Sequence, residues 1–79
     1  MVTLLHKGGF RFVIFTDDHE PAHVHVFGDD QAKVNLSGRD GIAELVWVDA
    51  IKTNGLRRAL AIIDEQRDFF LEKWSQIHG

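Results

Sequence analysis

The sequence predicts an α+β domain, in which a four-stranded antiparallel β-meander is followed by a C-terminal α-helix packed on the sheet. Short segments of alternating apolar and polar residues, separated by turn residues, extend as far as Val48, which is typical of antiparallel strands. Beyond Thr53 the apolar residues recur with a period of about 3.6, which indicates an amphipathic helix. A chain of 79 residues corresponds to a single domain, spanning residues 1–79.

The first predicted strand, Phe10–Thr16, is rich in aromatic and β-branched residues and is apolar on both faces. Burial on both sides of the sheet would explain that composition. Three further strands are predicted at Ala22–Gly28, Gln31–Gly38 and Ile42–Val48, the last of them after a turn at residues 39–41. Because the connecting turns are short, neighbouring strands are expected to be antiparallel.

The predicted helix begins at Thr53 or Asn54, either of which could cap it, and continues to about Ile77. Its apolar residues form one wide stripe, which is expected to face the sheet. The members of the stripe are Leu56, Ala59, Leu60, Ile63, Phe70, Leu71, Trp74 and Ile77.

Three residues of this segment do not fit a single straight helix. Arg67 lies within the apolar stripe, while Ile62 and Phe69 lie on the opposite side. One interpretation is that the helix is split near residues 64–67, so that each half turns a different face to the sheet. The other keeps one helix, in which Arg67 reaches a buried carboxylate and Ile62 and Phe69 form a second contact surface. An unpaired buried arginine would cost on the order of several kcal/mol, so the second interpretation requires that partner.

Composition excludes several classes of protein. The chain has no cysteine, which rules out disulfides, thiolate zinc sites and thiol nucleophiles. The formal net charge is −3, and the excess of acidic residues belongs to residues 1–52. That charge argues against broad nucleic-acid binding, although Arg57 and Arg58 leave room for a small basic patch. With no long apolar run and no signal-like N-terminus, we expect a cytoplasmic protein without membrane association.

The segment "DDHEPAHVHVFGDD", residues 17–30, concentrates histidines and carboxylates without any lysine or arginine. On a strand, His23 and His25 share one face and are separated by roughly 6.5–7 Å along the chain. Two imidazoles at this spacing can bind one divalent ion with bonds of about 2.0–2.1 Å. The sequence therefore predicts a candidate metal site here.

His19, on the preceding turn, could provide a third ligand, and a carboxylate from Asp17, Asp18 or Glu20 could complete the site. Nitrogen and carboxylate ligands suit zinc, manganese, iron or nickel, and the spacing does not choose among them. The competing interpretation is structural, because these histidines could simply line the polar face of a half-exposed hairpin.

The chain resembles the bacterial domain-of-unknown-function family 4160. The resemblance extends from Phe10 to Trp74 and depends on "DDHEPAHVHV", the aromatic strand before it and the terminal "RRALAIIDEQRDFFLEKW". The segment "WVDAIKTNG" is longer and more polar than the family pattern. Matching positions are His19, Pro21, His23, His25, Arg58, Ala59, Leu60, Arg67, Leu71 and Trp74. The resemblance implies no activity and no catalytic residues; members resemble small two-gene partners, commonly encoded beside another short domain.

The function that the sequence favours is a small interaction module that forms a homo-oligomer or pairs with a small partner protein, such as a neighbouring gene product. A domain of this size has a marginal core, and its edge strands need cover. Ile62 and Phe69 are the candidate interface residues. A toxin–antitoxin-like pair is one form of this hypothesis, suggested by the family resemblance.

The alternative is a divalent-metal-dependent hydrolase or nuclease. His19, His23 and His25 would hold a metal that activates water, and Arg58 or Arg67 would stabilise phosphate charge. A third hypothesis is a pH-responsive contact, because imidazoles titrate near pH ~6.5. The sequence leaves open whether the chain is an enzyme at all.

Overall fold

The computed structural model describes residues 1–38 and 41–78, which form a five-stranded antiparallel sheet followed by two helices. The strands follow one another across the sheet in chain order. The turn predicted at residues 39–41 lies largely outside the described residues. The strands are β1 (Val2–Lys7), β2 (Phe10–Ile14), β3 (His23–Phe27), β4 (Gln31–Asn35) and β5 (Glu44–Asp49), and the helices are α1 (Thr53–Glu65) and α2 (Arg67–His78).

The predicted α+β class and antiparallel meander are confirmed, and the number of strands is corrected from four to five. The additional strand is β1, which pairs with β2. Its pairing register shifts between Thr3 and Leu5, so that Leu4 occupies a β-bulge. A bulge inserts one residue and breaks the alternation of side chains between the two faces. The adjacent leucines of β1 therefore conceal the period of two from which β3 and β4 were predicted.

The C-terminal segment is two helices, so the predicted single helix is corrected to the alternative in which it is split. Gln66 separates them, with φ −101° and ψ 14°, and its N–H donates to the carbonyl of Ile62 at 2.9 Å. The first helix begins at Thr53, and its N-cap is Lys52, which makes no side-chain capping hydrogen bond. The capping roles predicted for Thr53 and Asn54 are therefore wrong.

The split also changes the assignment of the candidate interface residues. Ile62 lies in the core and is only 6% exposed, because the break lets each helix turn its own apolar side toward the sheet. The interface predicted at Ile62 is therefore corrected to a core position. Phe69 remains at the surface, 37% exposed, with its ring 5.6 Å from the Lys73 ammonium.

The core lies between the helices and one face of the sheet. Burial of this apolar surface stabilises the fold by about 25 cal/mol for each Å² removed from water. At its centre, the rings of Phe12 and Phe70 lie 5.6 Å apart. The buried members are Phe10, Phe12, Ile14, Val24, Val26, Ala32, Val34 and Leu36 from the sheet, with Ala59, Ile62, Ile63, Phe70 and Trp74 from the helices.

The opposite face of the sheet, which we call the second face, carries the alternate residues of the same strands. The strand register aligns Val13, His25, Lys33 and Trp47 in one row across it. Val13 is fully buried, so β2 is buried on both sides as predicted. In the described part of the chain, no helix has the length and apolar character needed to span a membrane.

Candidate functional site

The turn that follows β2 fixes the position of the Asp18 carboxylate. The N–H of Asp18 donates to the carbonyl of Phe15 at 3.1 Å, and the N–H of Phe15 donates to Oδ2 of Asp18 at 3.0 Å. Such paired contacts between a short acidic side chain and the nearby backbone are typical of aspartate in turns. The side chain is held with only 13% of its surface exposed.

Strand β3 presents two imidazoles to this carboxylate. Nε2 of His23 lies 3.3 Å from Oδ2 of Asp18, and Nε2 of His25 lies 3.5 Å from Oδ1 of the same residue. The two imidazole rings are 5.1 Å apart. Because side chains two apart on a strand share one face, β3 brings both rings to the same carboxylate. We call Asp18, His23 and His25 the histidine cluster.

Hydrogen bonding fixes the orientation of the His23 ring. Its Nδ1 lies 2.9 Å from the carbonyl oxygen of Pro21. A carbonyl can only accept, so Nδ1 carries a hydrogen and donates it, while Nε2 faces Asp18. Nε2 of His25 is buried and has no hydrogen-bond partner of good geometry among the described residues. Its 3.5 Å separation from the carboxylate is long for such a bond.

Aromatic side chains surround the histidine cluster and keep it out of bulk water. The Trp74 indole from α2 packs with its ring centroid 5.1 Å from that of His23, which is only 3% exposed. On the other side, the Phe15 ring lies edge-on to His25 at 4.6 Å. The His78 ring stacks on Trp74 at 3.9 Å. Electrostatic interactions inside such a partly dry site are stronger than at an exposed surface.

The pKa values of two members respond to these surroundings. Burial lowers the pKa of the His25 imidazole, and the adjacent Asp18 carboxylate offsets this effect only in part. Partial burial by itself raises the pKa of Asp18. The hydrogen bond from Phe15 and the two neighbouring imidazoles outweigh that effect, so the net pKa of Asp18 lies below its ordinary value. The cluster therefore favours an ionised carboxylate beside a neutral His25.

The structure brings together three of the predicted metal ligands. Donor atoms of Asp18, His23 and His25 all lie within 4.8 Å of one another. Within residues 1–38 and 41–78, neither His19 nor Asp17 joins this group, and both are exposed.

Glu20 has a different partner, because its Oε1 accepts the indole N–H of Trp74 at 3.0 Å. The sequence placed Trp74 in the helical apolar stripe, and Trp74 is indeed 4% exposed in the core. Its contact with His23 was missed, because helical periodicity does not show which end of the sheet the helix reaches.

The two candidate anion-binding arginines make structural contacts. Arg58 donates from Nε to the carbonyl of Gly8 at 3.0 Å and lies over the Phe10 ring. Arg67 donates from Nε to the carbonyl of Leu36 at 2.8 Å and pairs with Asp64.

The carboxylate partner expected for Arg67 therefore exists, but it is not buried, since the Asp64 side chain is 44% exposed. None of the hydrogen bonds that either arginine makes with the described residues reaches the histidine cluster.

A second candidate surface lies at the edge of the sheet. Among the residues that the structure describes, strand β5 pairs only with β4, and all six residues of β5 are exposed. Four of these residues are apolar, with exposed fractions of 36% for Leu45, 46% for Val46, 40% for Trp47 and 40% for Val48. An open strand edge offers unpaired backbone N–H and C=O groups to another chain. We call this surface the β5 edge.

Comparison with known proteins identifies the family. The family described as domain of unknown function (DUF4160) matches residues 9–75 of the 79-residue chain, and the chain belongs to it. No curated protein and no solved structure matches the chain significantly. The match includes the histidine cluster, the β5 edge and both helices apart from the last residues of α2.

Proposed function

We propose that this chain is a small protein-interaction module that associates through the β5 edge, with another small protein or with a second copy of itself. The observation that carries the proposal is the exposure of all six residues of β5, of which four in succession are apolar. Natural sheets usually protect such an edge with charges, proline, a bulge or a covering element, and the four apolar residues of β5 include only a bulge, at Val46. An exposed apolar strand is therefore expected to be covered in the functional state.

A partner strand added to β5 would satisfy its outward backbone groups and bury apolar side chains on both faces of the sheet. Val48 pairs with Ala32, whose side chain is in the core, whereas Trp47 pairs with Lys33 on the second face. The addition of an extended strand to an open edge is a common mode of peptide recognition. Backbone hydrogen bonds supply the affinity, and side chains on the two faces supply the specificity.

The charges at the ends of β5 favour a different polypeptide over a symmetric copy. In an antiparallel pair of β5 strands centred between Val46 and Trp47, Glu44 of one copy would lie opposite Asp49 of the other. Like charges directly opposite each other destabilise a strand pair. A partner strand with an apolar centre and lysine or arginine at both ends would instead meet complementary charges. A toxin–antitoxin-like pair remains one form of such a partnership, supported by family resemblance.

The test combines sedimentation velocity of the purified chain with co-expression alongside the product of a neighbouring gene. We expect Val46→Lys to disrupt the complex, because it adds a charge to the middle of the contact. Phe69→Lys is the matched control, since Phe69 is similarly exposed but lies on α2.

A chain that sediments as a monomer at every concentration, and also fails to co-purify with the neighbouring product, contradicts the proposal. If both lysine variants disrupt the complex equally, the contact cannot be assigned to the β5 edge.

The alternative of a metal-dependent hydrolase or nuclease has narrower support. The converging donor atoms of the histidine cluster favour metal binding. Stabilisation of phosphate charge would need a cationic group aimed at the same point. The described hydrogen bonds of Arg58 and Arg67 instead go to backbone carbonyls and to Asp64. Metal binding is therefore better supported than hydrolysis.

A further inference from the structure

We infer that Asp18, His23 and His25 form a binding site for one divalent cation of the zinc class. This inference is independent of the partner proposed for the β5 edge. It is based on the separations of the donor atoms, on the hydrogen bond that orients His23 and on the chemistry of the three ligands.

Two of the donor separations are close to the edge length of a metal tetrahedron. Zinc bonds of about 2.0–2.1 Å place neighbouring tetrahedral ligands about 3.3–3.4 Å apart. The observed separations are 3.3 Å from the His23 nitrogen to Asp18 Oδ2 and 3.5 Å from the His25 nitrogen to Asp18 Oδ1. One carboxylate oxygen and the two nitrogens lie within 4.8 Å of one another, so side-chain rotations that shorten these separations by at most about 1.5 Å would let all three bind a single cation.

The hydrogen bond from His23 Nδ1 to Pro21 prepares the ring for a metal. Histidine ligands usually donate their other ring N–H to a carbonyl or carboxylate, which fixes the tautomer. In the neutral ring this leaves a lone pair on Nε2, directed at the Asp18 carboxylate. Two electron-rich groups facing each other repel unless a cation or a proton lies between them. The buried Nε2 of His25 lacks a hydrogen-bond partner among the described residues, and a bound cation would give it one.

The ligand types select the class of cation. Two imidazole nitrogens and one carboxylate oxygen suit zinc and the neighbouring transition metals. Calcium requires six or more oxygen ligands, and magnesium prefers an octahedron of oxygens. The described residues place three donor residues in the group, so a fourth position is left for water or an external ligand.

The experiment is isothermal titration of the chelator-treated chain with zinc, repeated with cobalt(II), whose visible absorption reports tetrahedral coordination. We expect one zinc per chain and tetrahedral cobalt bands. Asp18→Asn and His25→Ala should each weaken zinc binding at least about tenfold. The matched control is His19→Ala, which removes an exposed histidine of the same segment that lies outside the group.

Far-ultraviolet circular dichroism of each metal-free variant separates loss of a ligand from loss of the fold. If His25→Ala does not fold, the conservative His25→Gln replaces it, with the same expected loss of zinc affinity. Equal zinc affinity in the folded cluster variants and the wild type overturns the inference, as does the absence of zinc binding to the wild type. A loss of affinity in His19→Ala as large as that in His25→Ala overturns the assignment of the three ligands.

Discussion

The indole N–H of Trp74 donates a hydrogen bond to Oε1 of Glu20 at 3.0 Å. This contact ties α2 to the turn that carries Asp18, while the Trp74 ring packs on His23. One side chain of the last helix thus supports the histidine cluster both by packing and by holding its turn. The position of the turn, and with it the position of the Asp18 carboxylate, should therefore depend on the docking of α2.

Removal of the Glu20 carboxylate should destabilise the fold. Trp74 is 4% exposed, and Glu20→Ala removes the side-chain oxygen that accepts the indole N–H of Trp74. We expect the free energy of unfolding to fall by about 1–2 kcal/mol. Glu20→Gln keeps an oxygen acceptor, so its free energy of unfolding should fall by less. Urea unfolding followed by tryptophan fluorescence measures both, and an equal loss in the two variants would contradict a role for the hydrogen bond.

The metal-free chain should lose stability as the pH falls through 6.5. Burial lowers the pKa of His25 below its ordinary value of 6.5, so the unfolded chain binds more protons than the folded one in this range. Stability is then fully present above pH 6.5 and declines as the unfolded state takes up its proton. Asp18, with a pKa below its ordinary 3.8, adds a further loss as the pH falls through the acid range below that value.

The measurement is the free energy of unfolding between neutral and mildly acidic pH, in the presence of a chelator. His25→Gln cannot titrate at this position, so its stability should depend less on pH near 6.5. A wild-type chain that gains stability on acidification would reverse the predicted sign. An identical slope in His25→Gln would assign the pH dependence to other residues.

The contacts of Arg67 should stabilise the junction between the sheet and the helix break. Its guanidinium donates to the carbonyl of Leu36 and to Asp64, and Asp64 also accepts the N–H of Ala43 at 2.8 Å. Arg67→Met keeps the apolar stem but removes every donor, and we expect it to lower the free energy of unfolding by about 1–3 kcal/mol. Arg67→Lys should give an intermediate loss, because an ammonium lacks the planar fork of arginine.

The matched control is Arg57→Met, which removes an exposed arginine from α1. Thermal unfolding by circular dichroism compares the three variants with the wild type. Equal destabilisation by Arg57→Met and Arg67→Met would mean that loss of charge, rather than loss of the junction, controls the effect.

Sequence patterns predicted the parts of the fold in which one periodicity continues without interruption. The aromatic and β-branched composition of β2 and the alternation in β3 and β4 gave their positions to within a few residues, and the 3.6-residue period gave the helical region. Prediction failed for β1, where the bulge at Leu4 interrupts the alternation. The misfit of Ile62 and Phe69 was compatible with a helix break or with a second contact surface, and only packing shows that a break turns Ile62 into the core.

In the histidine cluster, too, periodicity predicted the strand residues but not the residues of the turn. Strand alternation was sufficient to place His23 and His25 side by side, because both lie within β3. It could not rank Asp17, Asp18 and His19, which lie on a turn where no period fixes the direction of a side chain. The choice of Asp18 follows from its reciprocal hydrogen bonds with Phe15, a contact that adjacent acidic residues do not reveal.

The exposure of β5 along its whole length also affects how the domain opens. Since none of its six residues is buried, detachment of this strand would disturb the core less than detachment of an inner strand would. Its amides should therefore exchange with deuterium through a local fluctuation of lower free energy than global unfolding. Strand β5 could then detach from β4 and rearrange while the remaining strands stay folded.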